Sequence, residues 1–555
     1  MAALFFDPYF TDGRSSMSPT DKPWRDWLEN PLAIALLFLL PIALLLPPLP
    51  IDETRYLAVA WEMRQSGNFL VPHLNGELYS QKPPLLFWLI NASWTLTGLH
   101  GWSARLVTLA SSLLSLFLIG RIALRLGGDR DAARCAQWVL LGIGHFAIFA
   151  NAIMFDIVLT TCVLIALYGV LDLADDRRSR GVLIAGLGIG LGVLTKGPVI
   201  LLDVGFAAAT APWWHAGVAA RKGRYFGALG IAVLLGAAIG LAWAIPAAIV
   251  GGDVYANAIF LKQTVGRVTS SFAHRRPFWW YAWLLPLMLM PWLLVLRGRW
   301  SELRQRFKAE PALGLALLWT MPTVLVFSLV SGKQGHYLLP ILPGFALALG
   351  VLIAHGALRV RVGVMGFLVV LLGIALAIIP HLATTRDRWN LLIPLWPWWG
   401  ILLVLLGVAL IVFRRRLHGV LWPTLTTLVL VLVLKLALLQ GTGDHYDPRA
   451  AAAEVRKLQD SGASVLQYGW HHGVYEFAGQ LQKPLPWRYH ANDVREWLQA
   501  HPDGYLIVFE TKLRPATPPL LEIPFRGSQF AVWPASAALA GGIPDRDGTP
   551  DVDED

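Results

Sequence analysis

The chain has 555 residues, of which 55% are hydrophobic and 15% charged, and a mean hydropathy of +0.54. That balance lies outside the soluble globular range and predicts a polytopic α-helical membrane protein. A formal charge of +10 invites a nucleic-acid partner, but arginine and lysine fall in short clusters between apolar runs, as membrane loops do, so no nucleic acid is expected.

A polar tail, residues 1–30, precedes the first apolar run, Pro31 to Leu49, which is close to the ~20 residues needed to span a bilayer. Prolines Pro47, Pro48 and Pro50 stand where a signal peptide would carry small cleavage-site residues, so the run reads as an uncleaved transmembrane helix. Behind it comes IDETRYLAVAWEMRQSGNFLVPHLNGELYSQKPPL, Ile51 to Leu85. Asp52 reads as a helix N-cap, Glu53 as a first-turn acid and Gly67 as the stop. Tyr56, Val59, Ala60 and Met63 recur on one face and Arg55, Glu62 and Arg64 fall elsewhere, which suits a helix lying on the bilayer surface. Tyr79 to Pro84 then return the chain to the membrane through a proline pair.

About thirteen spans are expected within residues 31–440, beginning near Pro31, Trp102, Cys135, Ile153, Gly181, Gly197, Phe226, Trp279, Pro311, Leu338, Arg361, Leu391 and Leu417. Arginine clusters occupy alternate loops: 121–134, 177–180, 221–224, 297–308, 359–361 and 414–416. The positive-inside rule sends all six to the cytoplasm. The other face receives 51–101, 251–278, 331–337, 381–390 and the C-terminus. This assignment requires two short spans on either side of Thr195 to Pro198; one merged span would invert every later loop.

After Gln440 the composition becomes that of a small α/β domain, 441–540, with a helix to about Gln459, a strand SVLQYGW, a helix from Asp493 to Gln499 and a strand YLIVFE. The acidic residues 541–555 read as a disordered tail. His471 and His472, adjacent on a strand, point to opposite faces and do not make a metal pair.

No dinucleotide-binding glycine fingerprint and no Walker loop is present, so a nucleotide sugar has no cradle. The outward loops instead supply Arg55, Lys82, His274, Arg275, Arg276, Lys333 and Tyr337, a set able to hold a lipid phosphate. Asp156 is an ionisable residue just inside a span, which requires a reason: a boundary pair with a cation, or chemistry. Asp52 at a helix N-terminus stays ionised, so capping and a general-base role are compatible. Asp203 and Lys435, also within apolar runs, receive no role.

The blocks DETRY, YSQKPPL and SGKQGHYLLPILP, in this order, resemble the polyprenyl-phosphate-sugar-dependent glycosyltransferases of the GT-C class, and within it the bacterial aminoarabinose transferases and protein O-mannosyltransferases. The resemblance covers the membrane part up to about Gln440. It implies Asp52 as base, Asp156 as a second essential carboxylate, and Arg55, Lys82 and Tyr337 as phosphate ligands. By the same reading Arg275, Arg276 and Lys333 are further phosphate ligands, and Glu53, Tyr56 and Tyr79 substrate contacts. The aminoarabinose transferases hold a divalent metal with a glutamate and a histidine; here the glutamate's place is taken by Gln81, with His274 as the histidine, which leaves a metal cofactor in doubt.

The expected activity is transfer of a sugar from a polyprenyl-phosphate carrier to an envelope lipid, glycan or protein, with inversion, in the bacterial inner membrane with site and C-terminus periplasmic. The alternatives are protein O-mannosylation and, in another class, a sugar or lipid transporter or flippase, which would carry its charges near the bilayer midplane.

Overall fold

A computed structural model describes residues 30–545 apart from 127, 261–274, 383–395, 418, 510–512 and 526–527, together with all described side chains except those of 442 and 444. Among the described residues, eight helices are long and apolar enough to cross a membrane, and others are shorter or broken. Helix α1 (Pro31–Leu45) starts with Asn30 accepting from the Leu32 amide and Pro31 at the first position, and it is followed by the prolines at 47, 48 and 50. The polar helix α2 (Asp52–Ser66), the two-residue strands β1 (His73–Leu74) and β2 (Glu77–Leu78), and the apolar helix α3 (Leu85–Thr97) follow at one end of the bundle. Ile51, not Asp52, is the N-cap of α2, so Asp52 is its first helical residue; Gly67, left-handed at φ 68°, ends it.

The bundle proper contains α4 (Gly101–Arg125), α5 (Arg130–Gly142), α6 (Gly144–Phe149), α7 (Phe155–Ala174), α8 (Arg178–Lys196), α9 (Ile200–Ala209) and α10 (Lys222–Asn257). The run expected from Cys135 is divided at Ile143, where the Gly144 amide turns aside to the Met290 carbonyl. The break on which the topology depends falls at Gly197, whose φ of 74° and ψ of −157° stop α8. The chain doubles back there: a Cβ at Gly192 would meet the Ile200 side chain, which a straight helix would carry more than two turns away.

Next come α11 (Trp280–Met288), β3 (Leu296–Gly298), α12 (Trp300–Ala309), α13 (Pro311–Leu329), a 3₁₀ segment (Gly335–Ile341), α14 (Leu342–Ala354), β4 (Leu358–Val360), α15 (Val362–Leu382), α16 (Trp398–Val412) and α17 (Leu421–Tyr446). The start expected near Leu391 lies outside the described residues.

Contacts sort the loops into two ends. Arg125 pairs with Asp172 at 2.8 Å and with Asp175; His215 reaches Asp175 at 3.2 Å and Arg221 reaches Asp176 at 2.9 Å. His355 bonds Glu310 at 3.0 Å and lies 3.9 Å from Asp129, and antiparallel β3 and β4 pair Arg297 with Arg359. The arginine-rich loops therefore share one end. At the other, the Trp243 indole donates to Leu70 O, Lys435 to Asn151, and Lys196 to Asp156.

On that second end lies the C-terminal segment: α18 (Arg449–Asp460), β5 (Val465–Tyr468), α19 (Glu476–Gly479), β6 (Trp487–Arg488), α20 (Ala491–Ala500), β7 (Tyr505–Val508), β8 (Leu521–Phe525), β9 (Ser528–Pro534) and α21 (Ala535–Gly541). Its sheet runs β6-β5-β7-β9-β8, parallel on the β6-β5-β7 side and antiparallel at β7-β9-β8. The two strands and two helices expected from the sequence are present; α19, β6, β8, β9 and α21 were not expected.

This sheet domain alters the expected surroundings of α2. Instead of lying on a bilayer surface, the helix is buried on nearly every side, from Glu53 to Trp61 and at Met63. The Trp61 indole donates to Leu481 O at 3.0 Å, Asn75 exchanges two bonds with the Leu485 backbone, and Trp94 stacks on Phe477 at 4.9 Å. Gly473 closes directly on the helix: a Cβ there would meet Arg55 Cα at 3.2 Å and Ala58 Cβ at 3.1 Å.

Candidate active site at one edge of the helical bundle

The site is built where the N-terminus of α2 meets the N-terminus of α7. Asp52, in the first turn of α2, accepts from the Arg55 guanidinium at 2.7 Å, and its side chain is 44% exposed, so it is open to a partner from outside. The Tyr56 hydroxyl lies 3.4 Å from the same oxygen. Burial, and next the charge on Asp52, push that hydroxyl well above its ordinary pKa, so it remains a proton donor. The Tyr56 ring stands edge-on to Phe155 at 4.9 Å, and Asp156 is the next residue. Asp52 and Asp156 thus flank one aromatic contact.

Asp156 is almost fully buried. It accepts from Lys196 Nζ at 2.6 Å, and His336 Nε2 lies 3.9 Å from its other oxygen. Lys196 also stands 4.2 Å over the Tyr337 ring, where the negative face of the π system favours a cation. Lys82, half-buried on the stretch before α3, acts electrostatically on both Asp156 and His336. Two carboxylates from different helices therefore lie among Arg55, Lys82, Lys196, His336 and Tyr337, drawn from four separate segments. A cation set around carboxylates at a bilayer edge can hold a phosphate while one carboxylate accepts a proton.

Lys196 and His336 were not among the expected site residues. Lys196 stands beside a span end as Asp156 does, and the cost of an ionisable residue there was a usable signal. His336 sits within the quoted SGKQGHYLLP block, between two residues that were singled out.

Other expected residues lie elsewhere or are committed. Glu53 is buried, and both its oxygens are taken by protein: Oε1 by the Ile153 amide at 2.9 Å, Oε2 by the Leu49 amide at 2.8 Å and by Arg105. Arg105 in turn caps Leu46 O and Pro47 O, so this pair fastens the end of α1, the start of α2 and the turn before α7. Lys333, 3% exposed, gives its ammonium to Arg276 O and Val330 O, and burial pulls its pKa below the ordinary lysine value. Its position ties the Arg275–Arg276 stretch, which meets Gly332 through an isolated bridge and Ser331 through one backbone hydrogen bond, to the segment leading to His336. Arg275 and Arg276 themselves are exposed. Tyr79 is buried with its ring edge-on to Phe87 at 6.1 Å.

His274 lies outside the described residues. Among those described, no group of three or more His, Cys, Asp and Glu side chains stands together. Gln81 presents a buried amide oxygen that lacks a hydrogen-bond partner among the described residues, and a neutral oxygen is a weak donor to a divalent ion. The donor set on α2 and the Tyr79–Pro84 stretch does not fit a divalent metal, and no chemical step is assigned to one.

The His471–Glu476 pair belongs to the C-terminal domain: both are buried, His471 bonds Gln467 at 3.0 Å and Glu476 accepts from the Tyr475 amide. Lys435 gives its ammonium to Ile148 O and Asn151, which accounts for it without chemistry.

Comparison with known proteins agrees with this architecture. A family described as Dolichyl-phosphate-mannose-protein mannosyltransferase matches residues 81–249. The undecaprenyl phosphate-alpha-4-amino-4-deoxy-L-arabinose arabinosyl transferase 1 of Sodalis glossinidius is 30% identical over 54% of this chain and 53% of its own. The corresponding transferase of Pseudomonas aeruginosa strain UCBPP-PA14 is 28% identical over 87% of this chain and 92% of its own. The chain spans little more than half the length of the Sodalis relative in that match. The crystal structure of ArnT from Cupriavidus metallidurans in the apo state superposes with a TM-score of 0.72 at 18% identity, covering 93% of this chain and 99% of that one. Its form bound to undecaprenyl phosphate gives the same score over 92% and 97%. The fold is that of the GT-C membrane glycosyltransferases. Within the class the chain resembles the aminoarabinose transferases and their protein mannosyltransferase relatives.

Proposed function

We propose that the protein is a glycosyltransferase that takes a sugar from a polyprenyl-phosphate carrier, undecaprenyl phosphate in bacteria, and delivers it to a lipid A-like acceptor. The observation that carries this reading is the gathering of Asp52, Arg55, Lys82, Asp156, Lys196 and Tyr337 at one rim of the bundle. A transporter would need such groups near the midplane instead. The similarity to the Pseudomonas aeruginosa arabinosyl transferase over most of both chains supports 4-amino-4-deoxy-L-arabinose as the sugar.

The chemistry is a single displacement. Asp52 takes the proton of the acceptor hydroxyl as its oxygen attacks the anomeric carbon, and the bond from that carbon to the phosphate oxygen breaks. Arg55 and Lys82 hold the phosphate and stabilise the charge it gains on leaving, which is where preorganised cations act most strongly. Asp156, locked to Lys196, fixes that lysine beside the phosphate instead of competing as a base. Glu53 and Lys333 act by holding segments in place, and Tyr56 steadies Asp52. Attack opposite the leaving group inverts the anomeric centre.

The arginine-rich end faces the cytoplasm and the site and C-terminal domain the periplasm of a bacterial inner membrane, following the positive-inside rule. The protein O-mannosyltransferase reading keeps the same site and changes the acceptor; the match over residues 81–249 favours it as the second choice. Purified protein in liposomes, supplied with undecaprenyl-phosphate-linked aminoarabinose and with lipid A or a peptide, separates the two by mass spectrometry of the products. Glycosylated lipid A supports the first reading, glycosylated peptide the second, and no product from either defeats the proposal.

A further inference from the structure

We infer that the arginine-rich end of the bundle carries a binding site for one anionic phospholipid, between α15 and α16. These helices are joined by backbone-close glycine contacts: a Cβ at Gly366 would meet Gly407 O at 2.7 Å, and one at Gly373 would meet Gly400 O at 2.7 Å. Beyond the Gly366–Gly407 contact, at the membrane boundary, lies a cavity of about 610 Å³ lined in part by Val362, Gly363, Phe367 and Ile411, and by the guanidinium-bearing residues Arg361 and Arg414. Its size is that of a headgroup with the first part of its chains, larger than a phosphate ion needs.

The charges select the occupant. Arg361 places one nitrogen on Leu294 O at 3.0 Å and Arg414 one on Ile411 O at 3.0 Å. Neither pairs with a carboxylate among the described residues, so each retains donors for an anion. The Arg414 stem lies over Gly363, where a Cβ would come within 2.9 Å of Cδ, so the absence of a side chain at 363 is what lets that arginine fold over the cavity. Phe367 is 56% exposed on the membrane-facing side, a surface for an acyl chain. A phosphodiester accepts from guanidinium forks, whereas the ammonium of a zwitterionic headgroup would face two uncompensated cations. The contrast is the cavity of about 310 Å³ beside α1 and α18, whose cation Arg449 is already spent on Asp447 at 2.8 Å. This inference is independent of the sugar-transfer reading.

The test uses the full chain in phosphatidylcholine nanodiscs doped with phosphatidylglycerol, with retained lipid counted by native mass spectrometry. The wild type should keep one phosphatidylglycerol, and Arg361→Gln/Arg414→Gln should bind it about thirtyfold more weakly, roughly fivefold per basic group. Arg415→Gln/Arg416→Gln, on the same loop but outside the cavity, should bind as the wild type does. Gly363→Leu, which displaces Arg414 without removing charge, should also lose the lipid, and this covers the case in which the arginine pair fails to fold. Equal loss in the two arginine pairs would reduce the effect to general surface charge, and displacement by soluble glycerophosphate would make the site a phosphate site; either result overturns the inference, as does full retention in Arg361→Gln/Arg414→Gln.

Discussion

Two buried ion pairs hold the rim together, and the cost of breaking each is measurable. Glu53–Arg105 joins three segments and is closed to solvent, so Glu53→Gln leaves the Arg105 guanidinium uncompensated. A loss of about 3–5 kcal/mol is expected, read as a lowered midpoint of unfolding in detergent. Lys196→Met strands Asp156 in the same way and costs a similar amount, whereas Lys196→Arg keeps the pair and most of the stability. Asp52 is half-exposed, so Asp52→Asn should unfold within about 0.5 kcal/mol of the wild type. Its transfer rate should nevertheless fall by at least ~100-fold with carrier lipid still bound, the loss expected when a general base is removed. Turnover near the wild-type rate would remove Asp52 from the mechanism. At the opposite end, burial alone would raise the pKa of Asp175, but hydrogen bonds from His215 and Arg125 outweigh it and hold the carboxyl at about 2. A folded-state pKa below the unfolded one adds stability that is full above about pH 4 and fades as the pH falls toward 2. The stability gap between wild type and Asp175→Asn should close as the pH falls below about 4. Because Asp175 is 37% exposed the gap is small, under about 1 kcal/mol.

At the level of elements, α2 shows where local pattern stops being informative. The sequence marks its stop at Gly67 correctly, yet places it on a bilayer surface with Arg55 on the charged face, whereas Arg55 is buried. What covers it instead is chain some 410 residues further on, through Asn75–Leu485 and Trp61–Leu481, and periodicity carries no record of such partners. The reversal at Gly197 was legible because arginine clusters constrain both sides of it. The pairing of Lys196 with Asp156 was not, since register between α7 and α8 is set by packing: Cβ atoms at Gly169 and Gly188 would strike Ala185 and Ala166, so each glycine is a close-approach point. Strands β8 and β9 were missed for a related reason: they form the antiparallel side of a mixed sheet, with a proline in each strand. Gly473 turns this coverage into a prediction. It holds φ 70° against the Arg55 backbone, and Gly473→Ala must both strain the loop and push it from α2. A cost of about 1–3 kcal/mol is expected, with a raised KM for the carrier lipid as Arg55 shifts. Unchanged stability and KM would mean the C-terminal domain does not hold the helix in place.

For the molecule as a whole, the separation of charge is the organising feature. Arginine loops interlock at one end through Arg125, His215, Arg221 and His355, while the carboxylate–cation cluster and the five-stranded sheet occupy the other. In a bilayer this asymmetry predicts an orientation, because moving six basic loops across the membrane is far costlier than leaving them on the side of synthesis. Two single cysteines read it directly once Cys135 and Cys162 are replaced. Ser461→Cys, exposed in the turn before β5, should react with a membrane-impermeant maleimide in intact spheroplasts, and Arg299→Cys, exposed beside β3, only after permeabilisation. Since the reversal at Gly197 sets the side of every later segment, the pair also tests that break: were α8 and α9 one straight crossing, position 299 would label from outside and position 461 would not. That outcome would set Asp52, which precedes the break, on the opposite side from Tyr337, which follows it, and the site could not assemble.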